Sequence, residues 1–181
     1  MNDTDILNFW FSESTRSLWF QSTPEFDAMV MHHYESLWVK AAAGEMDHWR
    51  LYAKGALALV LVLDQFPLNM YRGLPQGFAT EAQAREVSQL SIRQGFDKDL
   101  HDSEKVFLYM PFMHSENIED QAFSVQLFEN AGLDSNLRFA RHHHGIIQRF
   151  GRFPHRNRIL GRKNTSAEIN YLNSKDAFNP K

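Results

Sequence analysis

At 181 residues, with 43% apolar and 23% charged side chains, the chain has ordinary globular composition and can bury a core without disulfides or a structural metal. It has no cysteine, which excludes a disulfide framework, a thiolate metal site and a cysteine nucleophile, and fits a reducing cytosol. The net charge of −3 hides an asymmetry: no Asp or Glu occurs between Ser135 and Ala167, where eight basic residues stand, leaving 11 basic against 22 acidic residues elsewhere.

The opening Met1-Asn2-Asp3-Thr4-Asp5 carries acids where a secretory signal would be positive, so a cytoplasmic protein is expected. A short helix is predicted over Asp5 to Phe11, with Trp10, Phe11, Leu18, Trp19 and Phe20 pinning this arm to the core. Thr23 caps a helix with Pro24 at its first position, and Phe26, Met29, Val30, His33, Leu37, Trp38 and Ala41 form its inward stripe up to Gly44. Between His48 and Phe66 the run Ala56 to Leu63 is apolar all round, as in a central helix, and the helix is expected to close at Asp64-Gln65-Phe66-Pro67. The longest apolar run, Gly55 to Leu63, is far short of the roughly 20 residues that cross a membrane, so no membrane partner is expected.

Beyond the loop Tyr71 to Phe78, Thr80-Glu81-Ala82-Gln83 reads as a capping box for a helix to Arg93. Asp102 or Ser103 caps the next helix, interrupted by Pro111, and Ser115 caps another that runs through Ala131 to Gly132. A helix from Asp134 or Ser135 to Phe150 should face inward with Phe139, His143, Ile146 and Phe150. Pro154 begins a short helix to Leu160, and Thr165-Ser166-Ala167-Glu168 is a second capping box. Residues 1–181 thus read as a single all-α domain of about eight or nine antiparallel helices, a tetratricopeptide-like array without a sequence repeat.

The chemistry-bearing residues stand beside proline steps: Asp64 and Gln65 before Phe66-Pro67, His114 and Glu116 after Pro111-Phe112, and His155, Arg156 and Asn157 after Phe153-Pro154. Arg149, Arg152 and Arg156 offer anion-binding forks, to which Asp64, Gln65 and Asn157 would add polar ligand contacts. His114, His143 and His155 are candidate acids or bases, with Glu116 or Asp64 to orient a histidine or hold an arginine. Asp64 after so apolar a run is either a buried charge with a cationic partner or a group at a pocket mouth.

The triplet His142-His143-His144 fans over about 200° of helix and cannot chelate one ion, so no metal is expected. No phosphate loop, dinucleotide fingerprint or nucleophile elbow occurs, and no cofactor is implied. The expected partner is a small anionic molecule, bound or also turned over, or else a peptide or partner protein held in a helical groove. A basic stretch set in an otherwise acidic chain, without interleaved aromatics, argues against nucleic acid.

Three stretches carry a resemblance: Leu63 to Gly73, Phe107 to Glu116, and Phe139-Ala140 with the string Arg149 to Arg162. In these the chain resembles a bacterial family of uncharacterised proteins, domain of unknown function 924. That resemblance covers nearly the whole chain and implies an all-helical, tetratricopeptide-like fold. It implies no reaction.

Overall fold

The computed structural model describes residues 1–178, which form helices joined by turns, with no strand among the described residues. They fall into two compact units, the first Met1–Arg72 with Gln76–Pro111, the second Gly73–Pro75 with the chain from Phe112 on.

In the first unit, α1 (Asp3–Trp10) opens on a capping box made by Asn2 and Asp5, and α2 (Glu13–Arg16) on Ser12. Most of the expected arm packs as read: Trp10, fully buried, lies 5.6 Å from Phe66 and 5.5 Å from Phe107, and Trp19 Nε1 donates to the Trp10 carbonyl at 2.9 Å, whereas Phe20, expected to help pin it, is 64% exposed. The helix α3 (Pro24–Ala42) starts as predicted, with Thr23 Oγ1 accepting the Phe26 amide and Pro24 in the first turn. Its buried stripe holds Tyr34 where His33 was expected, and His33 is exposed.

The central apolar run departs most from expectation. After α4 (Ala53–Val60) it does not close at Pro67 but widens into a π-turn over Leu61–Gln65 and continues as α5 (Phe66–Met70). Proline lacks an amide and its ring crowds the carbonyl four residues back; the wider turn, in which the Phe66 N–H donates to Leu61, relieves both problems. The Leu63 carbonyl is taken instead by the Thr80 hydroxyl at 2.5 Å, which in turn accepts Trp38 Nε1 at 3.0 Å. Thr80 is therefore no capping box for α6 (Glu81–Arg93), because its hydroxyl serves this tie. Asp64 and Gln65 are both buried on the π-turn, and Gln65 Nε2 donates to Asp64 at 2.5 Å.

Nor does Pro111 interrupt α7 (Asp102–Met113), which begins where Glu104 accepts the His101 amide and runs on past the proline. The Ser88 hydroxyl donates to the Leu108 carbonyl, next to the carbonyl of Phe107 that Pro111 leaves without an amide. The boundary between the units falls at Pro111.

In the second unit Asn117, not Ser115, caps α8 (Ile118–Asn130), accepting the amides of Glu119 and Asp120. The Ser115 hydroxyl caps no helix amide, donating instead to the Asp120 side chain in the first turn of α8 at 2.6 Å and accepting the Asn117 amide. A tight turn with Gly132 at φ 67° returns the chain into α9 (Asp134–Phe150), which packs along α8. Leu137, Ala140, His143, Ile146 and Ile147 are its buried face. Phe139 falls out of phase with them and is 56% exposed, against expectation. Gly151 ends α9 in the left-handed region, a 3-10 turn covers Pro154–Arg156 in place of a helix to Leu160, and α10 (Ser166–Leu172) opens on the predicted capping box of Thr165 and Glu168. The chain then folds back, and the Phe178 amide donates to the Tyr171 hydroxyl at 2.9 Å.

Candidate functional site

The corner after α9 is built by two carboxylates that lie outside the basic stretch. Phe153, fully buried, anchors it, and its amide donates to Glu116 Oε1 at 2.8 Å. Arg162 grips the same carboxylate with two nitrogens, at 2.6 and 2.9 Å, and also donates to the Phe153 carbonyl. Burial pushes the Glu116 carboxyl up, but the Arg162 fork, the Phe153 amide and the charges of Arg162 and Arg156 outweigh it and hold it below its ordinary value. On the other flank Arg152 forks onto Glu168 at 2.6 and 2.9 Å and reaches the Lys163 carbonyl. That fork, helped by the Thr165 amide and Asn157 against the cost of burial, holds the Glu168 carboxyl down at about 2.

Between these pairs lie two imidazoles in an aromatic setting. The His143 Nδ1 sits 2.8 Å from the Phe139 carbonyl and so carries a proton there, leaving Nε2 as acceptor in the neutral ring. Phe178 stands edge-on to His143 at 4.4 Å and to His155 at 5.2 Å, and Phe153 lies 5.5 Å from His143 and 5.4 Å from His155. The buried Arg156 lays its guanidinium 4.8 Å from the Phe153 ring centre. Burial, and then the charges of His114, His142 and Arg156, press His143 down to about 3 despite the Phe139 carbonyl. His155 is likewise pressed to about 3, by burial, Arg156, His143 and Arg162, with only Glu116 opposing. Both rings are neutral at neutral pH, and they can act as proton carriers there only if a bound negative charge raises them.

The polar atoms of this corner that are buried without a hydrogen-bond partner among the described residues include His155 Nδ1, Asn157 Oδ1 and Arg162 Nε, and the first two belong to residues with no ion-pair role. Asn157, wholly buried, uses its amide nitrogen on Asn164 at 2.7 Å. Of the residues singled out in the sequence, His143, His155 and Arg156 thus gather around Phe153. Arg152 and Glu116 flank them in ion pairs, and half-buried His114 reaches His143 through its charge. Arg149 is on the surface, its guanidinium 4.7 Å from the Phe150 ring, and Asp64 and Gln65 belong to the first unit. Sequence reasoning missed Glu168 as partner of Arg152, Arg162 as partner of Glu116, and Phe178. A lone Phe in the polar run Asn173 to Asp176-Ala177-Phe178 was the available signal for the last. The rings of His142 and His143 stand 6.1 Å apart at 82°, and no group of three metal-binding side chains forms among the described residues.

Residues 6–176 match the model of a family described as bacterial protein of unknown function, DUF924. The chain belongs to this family. A solved structure of a protein of unknown function from Agrobacterium tumefaciens shares 38% identity, covers 94% of this chain and 96% of that one, and superposes with a TM-score of 0.90. No curated protein matches the chain. Family membership therefore supports the all-helical fold and brings no reaction with it. Among the described residues no helix is long and apolar enough to cross a membrane.

Proposed function

We propose that the corner of the second unit binds a small anion beside His155. The observation that supports this reading is the buried, unpartnered Nδ1 of His155 in surroundings where Arg156 and Arg162 are close enough to depress the ring. A buried nitrogen without a partner is costly, and a positive field makes a negatively charged oxygen the favoured partner. Asn157, with one side-chain oxygen unmatched, would take a protonated oxygen of the same ligand. Arg152 and Glu116 hold the corner through Glu168 and Arg162, while Arg149 remains a surface contribution to the field. If the ligand is turned over, His155 and His143 are the proton carriers, raised by the ligand's charge, with His114 next to them. The cysteine-free composition supports a cytoplasmic location, and the tetratricopeptide-like description of the helices belongs to the same proposal.

The test is titration of the protein with phosphate, sulfate and acetate while the histidine ring protons are followed by NMR. An anion should shift His155 and His143 and be accompanied by proton uptake, because it stabilises the imidazolium. Affinity should then rise as the pH falls. His155→Gln should lose the response. If none of these anions moves either ring, the corner is structural, and a scaffold holding a peptide in its groove replaces this reading.

A further inference from the structure

Phe178 reaches the imidazoles from beyond α10 and is held there mainly by rings. It is edge-on to His143 at 4.4 Å and to His155 at 5.2 Å, with His142 at 6.4 Å, and its backbone N–H donates a hydrogen bond to the Tyr171 hydroxyl. The ring is only partly buried. A cleft of about 530 Å³ adjoins it, walled by Arg138, Phe139, His142, Lys175 and Phe178. Clefts of roughly 300–1,000 Å³ are the size that holds small organic molecules.

The rim is as informative as the wall. Phe139 keeps more than half its surface in water on a helix whose neighbouring apolar residues are buried. Arg141, one turn position away, is paired with Glu129, whereas Arg138 and Lys175 have no ion-pair partner among the described residues. Asp176, in the same cleft, leaves the rim with a net positive charge. An aromatic place beside an uncommitted cationic rim is matched by a ring carrying a carboxylate.

We infer that Phe178 occupies the place of a ligand ring, and that the pocket it fills binds a small aromatic carboxylate, with the ring against His143, His155 and Phe153 and the carboxylate on Arg138 and Lys175. This goes beyond the anion seat at His155, because it uses a different set of cations and adds an apolar requirement. No covalent step is involved. The chain's own ring competes with the ligand, so removing it should reveal the site.

The experiment compares 3-phenylpropionate, propionate and benzyl alcohol on the wild type and on Phe178→Ala, by calorimetry and by the shifts of the His143 and His155 rings. Phe178→Ala should bind 3-phenylpropionate at least about tenfold tighter than the wild type, the effect of one ring finding an empty apolar place. Propionate and benzyl alcohol should each bind about tenfold more weakly than 3-phenylpropionate. Adding Arg138→Gln and Lys175→Gln should abolish the gain. Should Phe178→Ala melt too early to use, Phe178→Leu, which keeps part of the packing, should show a smaller gain of the same sign. Equal binding of benzyl alcohol and 3-phenylpropionate, or no gain in either variant, overturns the inference. Phosphate separates this from the anion seat: if it still moves the His155 ring while 3-phenylpropionate gains nothing, the seat stands and the aromatic pocket falls. If the gain appears although phosphate moves nothing, the pocket stands alone.

Discussion

Replacing Glu116 by alanine removes one carboxylate and three hydrogen bonds at once. The Phe153 amide, at 2.8 Å, belongs to a fully buried residue and is left without its acceptor. An unsatisfied group of that kind costs about 1–3 kcal/mol. Arg162 loses a two-point grip, but its side chain is 23% exposed and it keeps the Phe153 carbonyl, so water replaces part of what is lost. Its share is therefore well below the roughly 3–5 kcal/mol of a fully buried pair that loses one partner. Together the loss should be about 2–3 kcal/mol, which for a chain of this size lowers the melting midpoint by roughly 4–12 °C. Glu116→Gln keeps the shape and one acceptor oxygen, so it should cost about half as much. Thermal and urea melts of Glu116→Ala, Arg162→Met and the double variant check this, with a coupling of about 1–2 kcal/mol expected between the two sites. A single variant within about 0.5 kcal/mol of the wild type, or additive losses in the double variant, would refute the view that Glu116 pins the corner.

Two other perturbations probe what surrounds it. The Glu168 carboxyl lies lower in the folded chain than its ordinary 4.5, at about 2, so its contribution is full above pH 4.5 and is lost as the pH falls toward 2. Melting midpoints of Glu168→Gln should consequently fall less steeply than those of the wild type across that window, and parallel acid limbs would count against the Arg152 fork. Gly55→Ala should destabilise by about 1–3 kcal/mol in urea melts, since a methyl there meets the Trp49 carbonyl at 2.5 Å and the Tyr52 ring at 2.6 Å inside a buried helix; an unchanged midpoint would refute a steric need for glycine at this position.

Signals that act within a few residues were legible in the sequence. Thr23 with Pro24, and Thr165 with Glu168, cap their helices as their spacing predicts, because both partners of the cap lie in one turn. The span of α9 and its stop at Gly151 were equally plain. What failed was decided by distant competitors. Thr80 has a capping-box spacing, yet its hydroxyl is drawn to the carbonyl of Leu63 that Pro67 frees, and the π-turn that accommodates Pro67 lets the helix run on where an end was expected. Helix phase misled at His33 and Phe139, each one position from the buried stripe. In the site, the arginines were visible as a cluster, but their commitments were not: the acids that hold Arg152 and Arg162 sit 16 and 46 residues away in sequence. Nothing local distinguishes an arginine awaiting a ligand from one already engaged.

The π-turn at Leu61–Gln65 adds about one residue to a turn of helix, and each residue of an α-helix advances the side-chain direction by about 100°. Buried Phe66, Asn69 and Met70 keep their inward aim only because that extra residue is there. The stretch should therefore tolerate exchanges of apolar type far better than any change of length. A one-residue deletion between Leu61 and Gln65 would restore a regular helix and at the same time swing the Phe66 ring away from Trp10 and Tyr34, so a shorter, locally more ideal sequence would be the worse folder.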